Sequence, residues 1–481
     1  MRTLSLWSAE GAGHPNDYGA TRITGRTVRP AWRGRRSVQL VTAVIAAAAL
    51  ASCGNAKVTV STSGNSDGVS AHRVVVGGLA SLTGPVTADF APIFQGVAAY
   101  FGMVNAKGGV DGRKLDLAYQ LDDQSDPAMD TTLARTLVDQ DHVFAVVGVA
   151  TPSFTGAGFL ASHDVPTFGL DDNPNSQWAA GPSLFGEFGS YNTYSAPLLQ
   201  AAFLAEQHHV TSAAVLAYDV TQSQQGCEGP LRALREYGIH ISYTNLGIPV
   251  SATGLDAVVS DMAADHVDMV VSCMDISGNI QLANKMSQNG MRGVTQLWFD
   301  GYDQADVRAF AAQMQGVYLF LLHVPFEAAK GNAAVYPGLY DFRQMMARYE
   351  PGHHLSEAAL AGWVNAALFV DGLRLAGRDL TRSRLVKAIN TEVHHFSAHG
   401  IVASPVNWSI AHTAVAGPYN CGAFVQVEAG RFVPVYTTPA TPSSPASVLS
   451  CFPKFPPASG PLFPLSRLPQ GVPPFYMPAG T

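Results

Sequence analysis

Residues that could do chemistry are concentrated directly after short apolar runs of the chain. Hydroxyl- or carboxylate-bearing side chains follow six such runs, at 81–83, 151–155, 171–172, 218–223, 274–275 and 299–303. In open α/β sheets, ligands bind in the crevice beyond the carboxyl ends of the strands. These side chains therefore predict a polar cleft that holds a small solute. Each loop taken alone is also explained by turn chemistry, because turns need Ser, Thr, Asp, Gly and Pro.

Known catalytic motifs are absent from the sequence. Ser153 lies in Pro-Ser-Phe-Thr-Gly, which lacks the first glycine of a Gly-x-Ser-x-Gly nucleophile turn. The His pairs at 208–209, 353–354 and 394–395 are adjacent, whereas metal-binding His on a helix needs i, i+4 spacing. The acids at 122–126 lack the spacing of a calcium loop. We therefore expect no enzyme, metal or cofactor, and keep one alternative, a hydrolase that uses Ser153 with a distant His and Asp.

Strand-like and helix-like segments alternate along the body of the chain. Apolar or alternating runs predict strands at 73–79, 114–121, 144–149 and 165–170, with helical spacing at 94–105 and 128–139. The same alternation occurs a second time, with strands at 213–218, 239–246 and 267–272 and helices at 229–237 and 280–286. Strands that alternate with helices predict parallel α/β sheets. Because this alternation of strands and helices occurs twice, we expect an α/β fold with two lobes, each a parallel sheet flanked by helices.

Composition excludes several classes of protein. The 481 residues are 47% hydrophobic and 14% charged, with a net charge of −7. This balance is the opposite of that in disordered chains. A negative chain without a basic run in its body is not expected to bind nucleic acid. One apolar stretch, near the N-terminus, is the part that could engage a bilayer, so several membrane spans are excluded.

The N-terminal segment has the pattern of an export signal. Six Arg and no acid occupy 22–36, and an apolar stretch of about 15 residues follows, which is too short for a spanning helix. The sequence Leu50-Ala51-Ser52-Cys53 then resembles the lipobox of bacterial lipoproteins, in which the cysteine is lipidated and becomes the first residue. We therefore predict a signal peptide over 1–52 and a lipid on Cys53. Cys53 in an ordinary signal peptide, or twin-arginine export through Arg35-Arg36, stays open.

The two ends of the exported chain are predicted to be extended. Residues 53–72 are rich in Ser, Thr, Gly and Asn, which is typical of a flexible tether. Residues 441–481 contain 11 prolines, which predict an extended tail. Because exported cysteines can pair, we expect Cys227, which opens a predicted helix, to meet Cys273 at the end of a neighbouring strand. Cys421 would then pair with Cys451 and hold the start of the tail.

Motifs along 73–440 resemble periplasmic substrate-binding proteins of the leucine/isoleucine/valine type. The segments that carry the likeness are Leu79 through Gly84-Pro85, Asn105 through Lys114, Asp122 through Pro127, 143–148, Val165-Pro166 and 421–434. The resemblance implies two lobes joined by three hinge crossovers that close over a small solute. Lobe one would comprise 73–186 and 325–405, and lobe two 187–324 and 406–440.

The resemblance also assigns roles to individual residues. Hydroxyls of Thr83, Thr151, Ser153 and Thr155 would hold a ligand carboxylate. Asp300 would receive an ammonium group, Tyr302 would act as a lid, and Tyr218 and Ser223 would line the second lobe. The acids Asp171 and Asp172 depart from the leucine type, because carboxylates in a closed cleft repel a ligand carboxylate. If Asp172 and its neighbour face the cleft, the solute is a cation, an amide or a polyol; if they point outward, they form a turn.

We therefore predict a lipid-anchored, monomeric, extracytoplasmic solute-binding protein on the outer face of the cell membrane. It would capture a branched-chain amino acid, or a related amino acid or amide, and deliver it to the permease of an ABC importer. The alternative within the same fold is a pair of ligand-sensing lobes that reports to a signalling partner. A degenerate member with an empty cleft is a further alternative.

Overall fold

A computed structural model describes residues 66–171, 177–189, 199–329, 335–412, 419–439, 446–453 and 460–468. The predicted signal peptide, Cys53, most of the predicted tether and Asp172 lie outside these residues. The described part of the tether packs against the body, since the amide of Val75 donates to the carbonyl of Gly68 at 2.8 Å. The predicted tether therefore does not extend freely up to residue 72.

The first sheet contains five parallel strands. They are β1 (Arg73–Ala80), β2 (Lys114–Asp122), β3 (Ala145–Ala150), β4 (Thr167–Gly169) and β5 (Leu184–Gly186), in the order β2-β1-β3-β4-β5. Every residue of β3 is buried, as expected for the central strand of a sheet covered on both faces. A hairpin turn at Asp111-Gly112 precedes β2, where Val110 and Arg113 exchange both backbone hydrogen bonds at 2.9 Å.

The second sheet contains eight strands and is mixed. They are β6 (Ala213–Tyr218), β7 (Ile241–Ile248), β8 (Met269–Ser272), β9 (Thr295–Trp298), β10 (Tyr318–Leu321), β11 (Tyr419–Glu428), β12 (Arg431–Val435) and β13 (Ser450–Pro453). The order is β12-β11-β10-β9-β8-β6-β7, and β13 pairs with β11. Strands β6–β10 are parallel, whereas β11 runs antiparallel to β10, β12 and β13.

Thirteen α-helices are described around these sheets. They are α1 (Thr87–Phe90), α2 (Ile93–Ala106), α3 (Asp130–Arg135), α4 (Ala157–Ser162), α5 (Leu199–Gln207), α6 (Thr221–Glu236), α7 (Leu255–Ala264), α8 (Ile276–Gln288), α9 (Asp306–Ala309), α10 (Ala311–Met314), α11 (Pro337–Tyr349), α12 (Glu357–Ala376) and α13 (Arg382–Glu392). Helix α6 begins eight residues earlier than the predicted helix at 229, and Pro230 lies inside it. Cys227 therefore lies within the helix and does not open it.

The chain passes between the two sheets three times, after β5, after β10 and after α13. Helices α11 and α12 pack on α2, and α13 packs on α12. We therefore define the first lobe as the first sheet with α1–α4 and α11–α13, and the second lobe as the second sheet with α5–α10. The expected α/β architecture is confirmed. The residue boundaries of the lobes stay predictions.

Helices α2 and α12 cross with their backbones in contact. A Cβ atom at Gly96 would overlap the carbonyl oxygen of Ala359, and one at Gly362 would overlap that of Ile93. Tyr100 and Trp363 pack edge to face beside the crossing, with ring centroids 4.7 Å apart. Helix α12 is the one helix among the described residues that is long and apolar enough to cross a membrane, and 83% of that stretch is buried inside the fold.

Both predicted disulfides are confirmed, and both belong to the second lobe. Cys227 of α6 is bonded to Cys273 after β8, with Cα atoms 6.0 Å apart. Cys421 of β11 is bonded to Cys451 of β13, with Cα atoms 4.0 Å apart. All four cysteines are buried. Part of the predicted extended tail is therefore a strand held covalently to the second sheet.

Candidate functional site

A group of buried polar residues lies at the carboxyl edge of the first sheet. Ser81, Asp123 and Thr151 are the residues that follow β1, β2 and β3, and Ala80 is in register with both Asp122 and Ala150. All three are buried, as is Asp130 at the start of α3. Burial, and then the nearby charge of Asp123, raises the pKa of Asp130 to about 8. Asp130 therefore holds a proton at neutral pH.

The predicted hydroxyl ligands of the first lobe already have partners within the lobe. Thr83 is exposed, and its hydroxyl donates to the carboxylate of Asp122 at 2.7 Å. Ser153 is buried, and its hydroxyl accepts a hydrogen bond from the amide of Gln177 at 3.0 Å. The hydroxyl of Thr155 donates to the carbonyl of Pro127. The hydroxyl of Ser153 is bonded to an amide and not to a histidine, so this contact does not activate it as a nucleophile.

A narrow cleft lies between the two lobes. Its volume is about 290 Å³, including the part that is open to solvent. Of the residues predicted to bind ligand, Asp300 and Tyr302 line it, whereas Thr83, Thr151, Ser153, Thr155, Tyr218 and Ser223 do not. The lining residues come from both lobes: Ala88, Asp89, Leu170, Asp300, Gly301, Tyr302, Asp303, Ser356, Glu357 and Ala358.

Asp89 connects the two walls of this cleft. It lies on α1 of the first lobe, and its carboxylate accepts a hydrogen bond from the backbone amide of Ile276 at 2.7 Å. Ile276 is the first residue of α8 in the second lobe, so the carboxylate also meets the positive end of the helix dipole. Burial, followed by the charges of Asp300 and Asp275, raises the pKa of Asp89 well above its usual range.

Two predicted residues of the second lobe lie directly behind this contact. The hydroxyl of Tyr218 donates to Asp275, the N-cap residue of α8. Ser223 accepts from the backbone amide of Tyr218 at 2.8 Å and donates to the carbonyl of Cys273 at 2.6 Å. Both side chains are buried. They hold the start of α8 in place and so position the Ile276 amide, whose hydrogen bond Asp89 accepts.

Tyr302 joins the second lobe to the chain that leaves it. It is fully buried, its hydroxyl donates to Glu327 at 2.5 Å, and it accepts from the backbone amide of Phe326 at 2.7 Å. Its ring stacks on Phe326 with centroids 4.7 Å apart. Residues 326–327 follow the second crossover, so Tyr302 anchors a connection between lobes in this conformation.

Two of the lining acids are paired with histidine. The carboxylate of Asp303 lies 2.7 Å from Nε2 of His354, and the hydrogen bond between them raises the pKa of that imidazole. The carboxylate of Glu357 lies 3.1 Å from Nε2 of buried His323. Each of these two acids therefore has a histidine partner beside it, whereas Asp89 and Asp300 repel each other.

Further acids follow β4 and β5 behind the cleft. Asp171 and Glu187 are buried, and burial raises the pKa of both well above the usual range. Glu187 also feels the charges of Glu357 and Asp171. Both carboxyl oxygens of Glu187 are buried without a hydrogen bond. Of the two neighbouring acids whose direction the sequence left open, Asp171 is therefore inside the protein, and Asp172 lies outside the described residues.

The sequence interpretation missed Asp89, Glu187 and Glu357. Glu187 directly follows a strand, as Asp171 nearly does, so the same strand-end rule could have found it. Asp89 and Glu357 lie in the first turns of helices, and only the packing of the lobes brings them to the cleft. Among the residues that the structure describes, no group of three or more His, Cys, Asp or Glu side chains is placed to hold a metal ion.

Comparison with known proteins identifies the class. The family model described as "Periplasmic binding protein" matches residues 73–431, and the chain belongs to this family. It is a periplasmic solute-binding protein of ABC transporters, of the type I fold. No curated protein matches.

Solved structures share the fold at low identity. A possible leucine/isoleucine/valine-binding protein from Rhodopirellula baltica is 17% identical, with a TM-score of 0.64, over 77% of this chain and 98% of its own. A fatty acid ABC transporter substrate-binding protein from Thermomonospora curvata is 17% identical, with a TM-score of 0.63, over 77% and 93%. A solute-binding protein from R. palustris in complex with benzoate is 17% identical, with a TM-score of 0.60, over 76% and 95%. Solutes therefore differ widely within this fold.

Proposed function

We propose that the protein captures a small polar solute, an amino acid or a related amide, in the cleft between its lobes and delivers it to the permease of an ABC importer. The observation that carries this proposal is the hydrogen bond from Ile276 of one lobe to Asp89 of the other. A carboxylate held at a helix start across the cleft brings the two walls into contact. This contact is the kind of interaction that a closed state has and an open state lacks.

Solute capture follows from the difference between those two states. A solute that touches Asp89 on one wall and Asp300 on the other makes both contacts only when the lobes are closed. Binding energy gained only in the closed state shifts the population toward it. The narrow volume of the cleft is consistent with a closed arrangement that needs opening before a solute enters.

The remaining sequence-based assignments belong to the proposal. The lipid on Cys53 would keep the exported chain at the outer face of the membrane, and a single copy would present the closed lobes to the permease. Thr83, Ser153 and Thr155 would reach a solute only by exchanging their present partners. Thr151 does not line the cleft, so we place all four second to Asp300 and Tyr302, which do.

The proposal is tested by thermal unfolding of the full chain with a panel of amino acids, amino acid amides, polyamines and sugars. A ligand that binds only the folded protein stabilises it by about 2.7 kcal/mol at one hundred times its dissociation constant. We expect at least one compound to raise the midpoint by several degrees.

Asp300→Ala is expected to abolish that shift. The matched control is Asp256→Ala, which removes an exposed carboxylate paired with Lys285 away from the cleft. No shift with any member of the panel, or an equal shift in Asp300→Ala, contradicts the proposal.

A further inference from the structure

Acidic side chains make up most of the polar lining of the cleft. Four of its ten lining residues are acids, and none of the described lining residues is Lys or Arg. Asp303 and Glu357 each have a histidine as hydrogen-bonding partner. The charges of Asp300 and Asp275 act on Asp89, whose one backbone hydrogen bond comes from Ile276. A ligand carboxylate would add a further negative charge at this point.

A second observation points to a missing cation. Glu187 is 2% exposed, and neither of its carboxyl oxygens accepts a hydrogen bond. It lies in the electrostatic range of Glu357, which lines the cleft, and of Asp171. Burying a carboxyl without a partner is costly, so such groups in native proteins normally have one. A positively charged group in the cleft beside Glu357 would lower the electrostatic cost of this arrangement.

We propose that the solute is an organic cation without a free carboxylate, with amine or guanidinium groups that contact Asp89 and Asp300 and whose charge offsets that of the acids around buried Glu187. This inference rests on the proposed function, since it names the chemical class that the cleft would take. It departs from a zwitterionic amino acid, whose carboxylate would be repelled by the same groups. Nitrogen donors of amines and guanidinium groups form charge-assisted hydrogen bonds with carboxylates.

The direction of the pH dependence follows from the same residues. Asp89 faces Asp300, Asp275, Asp306 and the amide of Ile276, and Glu187 faces Glu357 and Asp171. Burial and these charges favour the protonated forms in the empty protein. A bound cation favours the ionised forms, so binding releases protons and affinity increases as pH rises.

Calorimetric titration of the full chain with matched pairs of probes tests the inference. Agmatine is arginine without its carboxylate, and leucinamide is leucine with its carboxylate replaced by an amide. We expect agmatine to bind at least about tenfold more tightly than arginine, and leucinamide more tightly than leucine, because the acids of the cleft repel the free carboxylate of each amino acid. The cation affinity is expected to increase as the pH is raised.

Isosteric variants separate charge from structural damage. Asp89→Asn and Glu187→Gln keep the size of each side chain, and the asparagine oxygen can still accept from Ile276. Each is expected to lower the ratio of agmatine to arginine affinity by about tenfold, whereas a damaged cleft weakens every probe alike. Asp256→Asn, at an exposed position, is expected to leave the ratio unchanged.

The outcomes distinguish failure of the cation class from failure of solute capture itself. Tighter binding of arginine or leucine than of its carboxylate-free partner overturns the cation class and leaves solute capture standing. Binding of a neutral or anionic compound, when none of the four probes binds, also overturns the cation class and leaves solute capture standing. If no probe and no panel compound binds, the proposed function fails, and this inference fails with it.

Discussion

The two lobes hold their strand ends in place by different means. In the second lobe, two disulfides tie α6 to the end of β8 and β13 to β11. In the first lobe, α2 and α12 cross backbone to backbone at two glycines, and buried acids meet at the carboxyl edge of the sheet. The stability of the second lobe should therefore respond to reduction, and that of the first lobe to pH and to steric change.

The helix crossing of the first lobe gives the largest expected effect. Gly362→Ala places a methyl group on the backbone of Ile93, which can relieve the overlap only by separating α2 from α12. We expect a loss of about 3 kcal/mol or more in the free energy of unfolding, measured by urea denaturation.

The control for this change is another helical glycine, Gly158 of α4. A Cβ atom there has no neighbour within 4 Å. Gly158→Ala should therefore stabilise by about 0.5–1 kcal/mol, as in an exposed helix. Similar effects of the two substitutions would show that the crossing does not determine the stability of the first lobe.

The disulfides of the second lobe give the next largest effect. Replacing Cys227 and Cys273 together by Ala should cost about 2–5 kcal/mol, because the bond restrains 46 residues of sequence separation. Hydrogen exchange measured by mass spectrometry should show faster exchange in α6 and β8 and unchanged exchange in β1–β3. Equal loss of protection in both lobes would contradict their separate stabilisation.

The acid at the start of α3 gives a pH-dependent effect in the first lobe. In the folded protein Asp130 has a pKa of about 8 and keeps its proton at neutral pH. In the unfolded chain the same side chain loses its proton near pH 4. Its contribution to stability is therefore complete below about pH 4 and is lost as pH rises to about 8.

Asp130→Asn removes this titration. Thermal unfolding should show the variant to be more stable than the parent at pH 8 and close to it at pH 4. A constant difference across that range would mean that Asp130 ionises normally in the folded protein.

The smallest effect concerns Thr83, at the exposed end of β1. Thr83→Val removes the hydroxyl that donates to Asp122 and should cost about 1 kcal/mol. Solute affinity in calorimetry should change little if this bond is its main role. Unchanged stability with a large loss of affinity would instead support the ligand contact predicted from the sequence.

Much of the fold could be predicted from the sequence because its signals are local. Apolar runs and helical spacing predicted most of the parallel strands and helices, and the placement of Cys227 and Cys273 beside neighbouring elements predicted their pairing. The early start of α6 was missed because Gly226, Gly229 and Pro230 are poor helix formers that packing overrides.

The candidate site was harder to predict from the sequence, because it depends on how the two lobes pack against each other. Asp300 and Tyr302 follow a strand and were found by that rule, whereas Asp89 acquires its partner from α8, 187 residues further along the chain. Ser223 and Ser153 follow or approach strand ends as well, but their hydroxyls bond inside their own lobes. Position at a strand end does not determine which way a side chain points.

Native mass spectrometry of the full chain, as purified and after unfolding, tests solute capture most directly. We expect one small molecule per chain that remains bound in the folded protein, leaves only on unfolding and has an unaltered mass after prolonged incubation. A chain that carries no small molecule when purified and acquires none from the solute panel would contradict solute capture in this cleft, as would a bound molecule that the protein converts to a product.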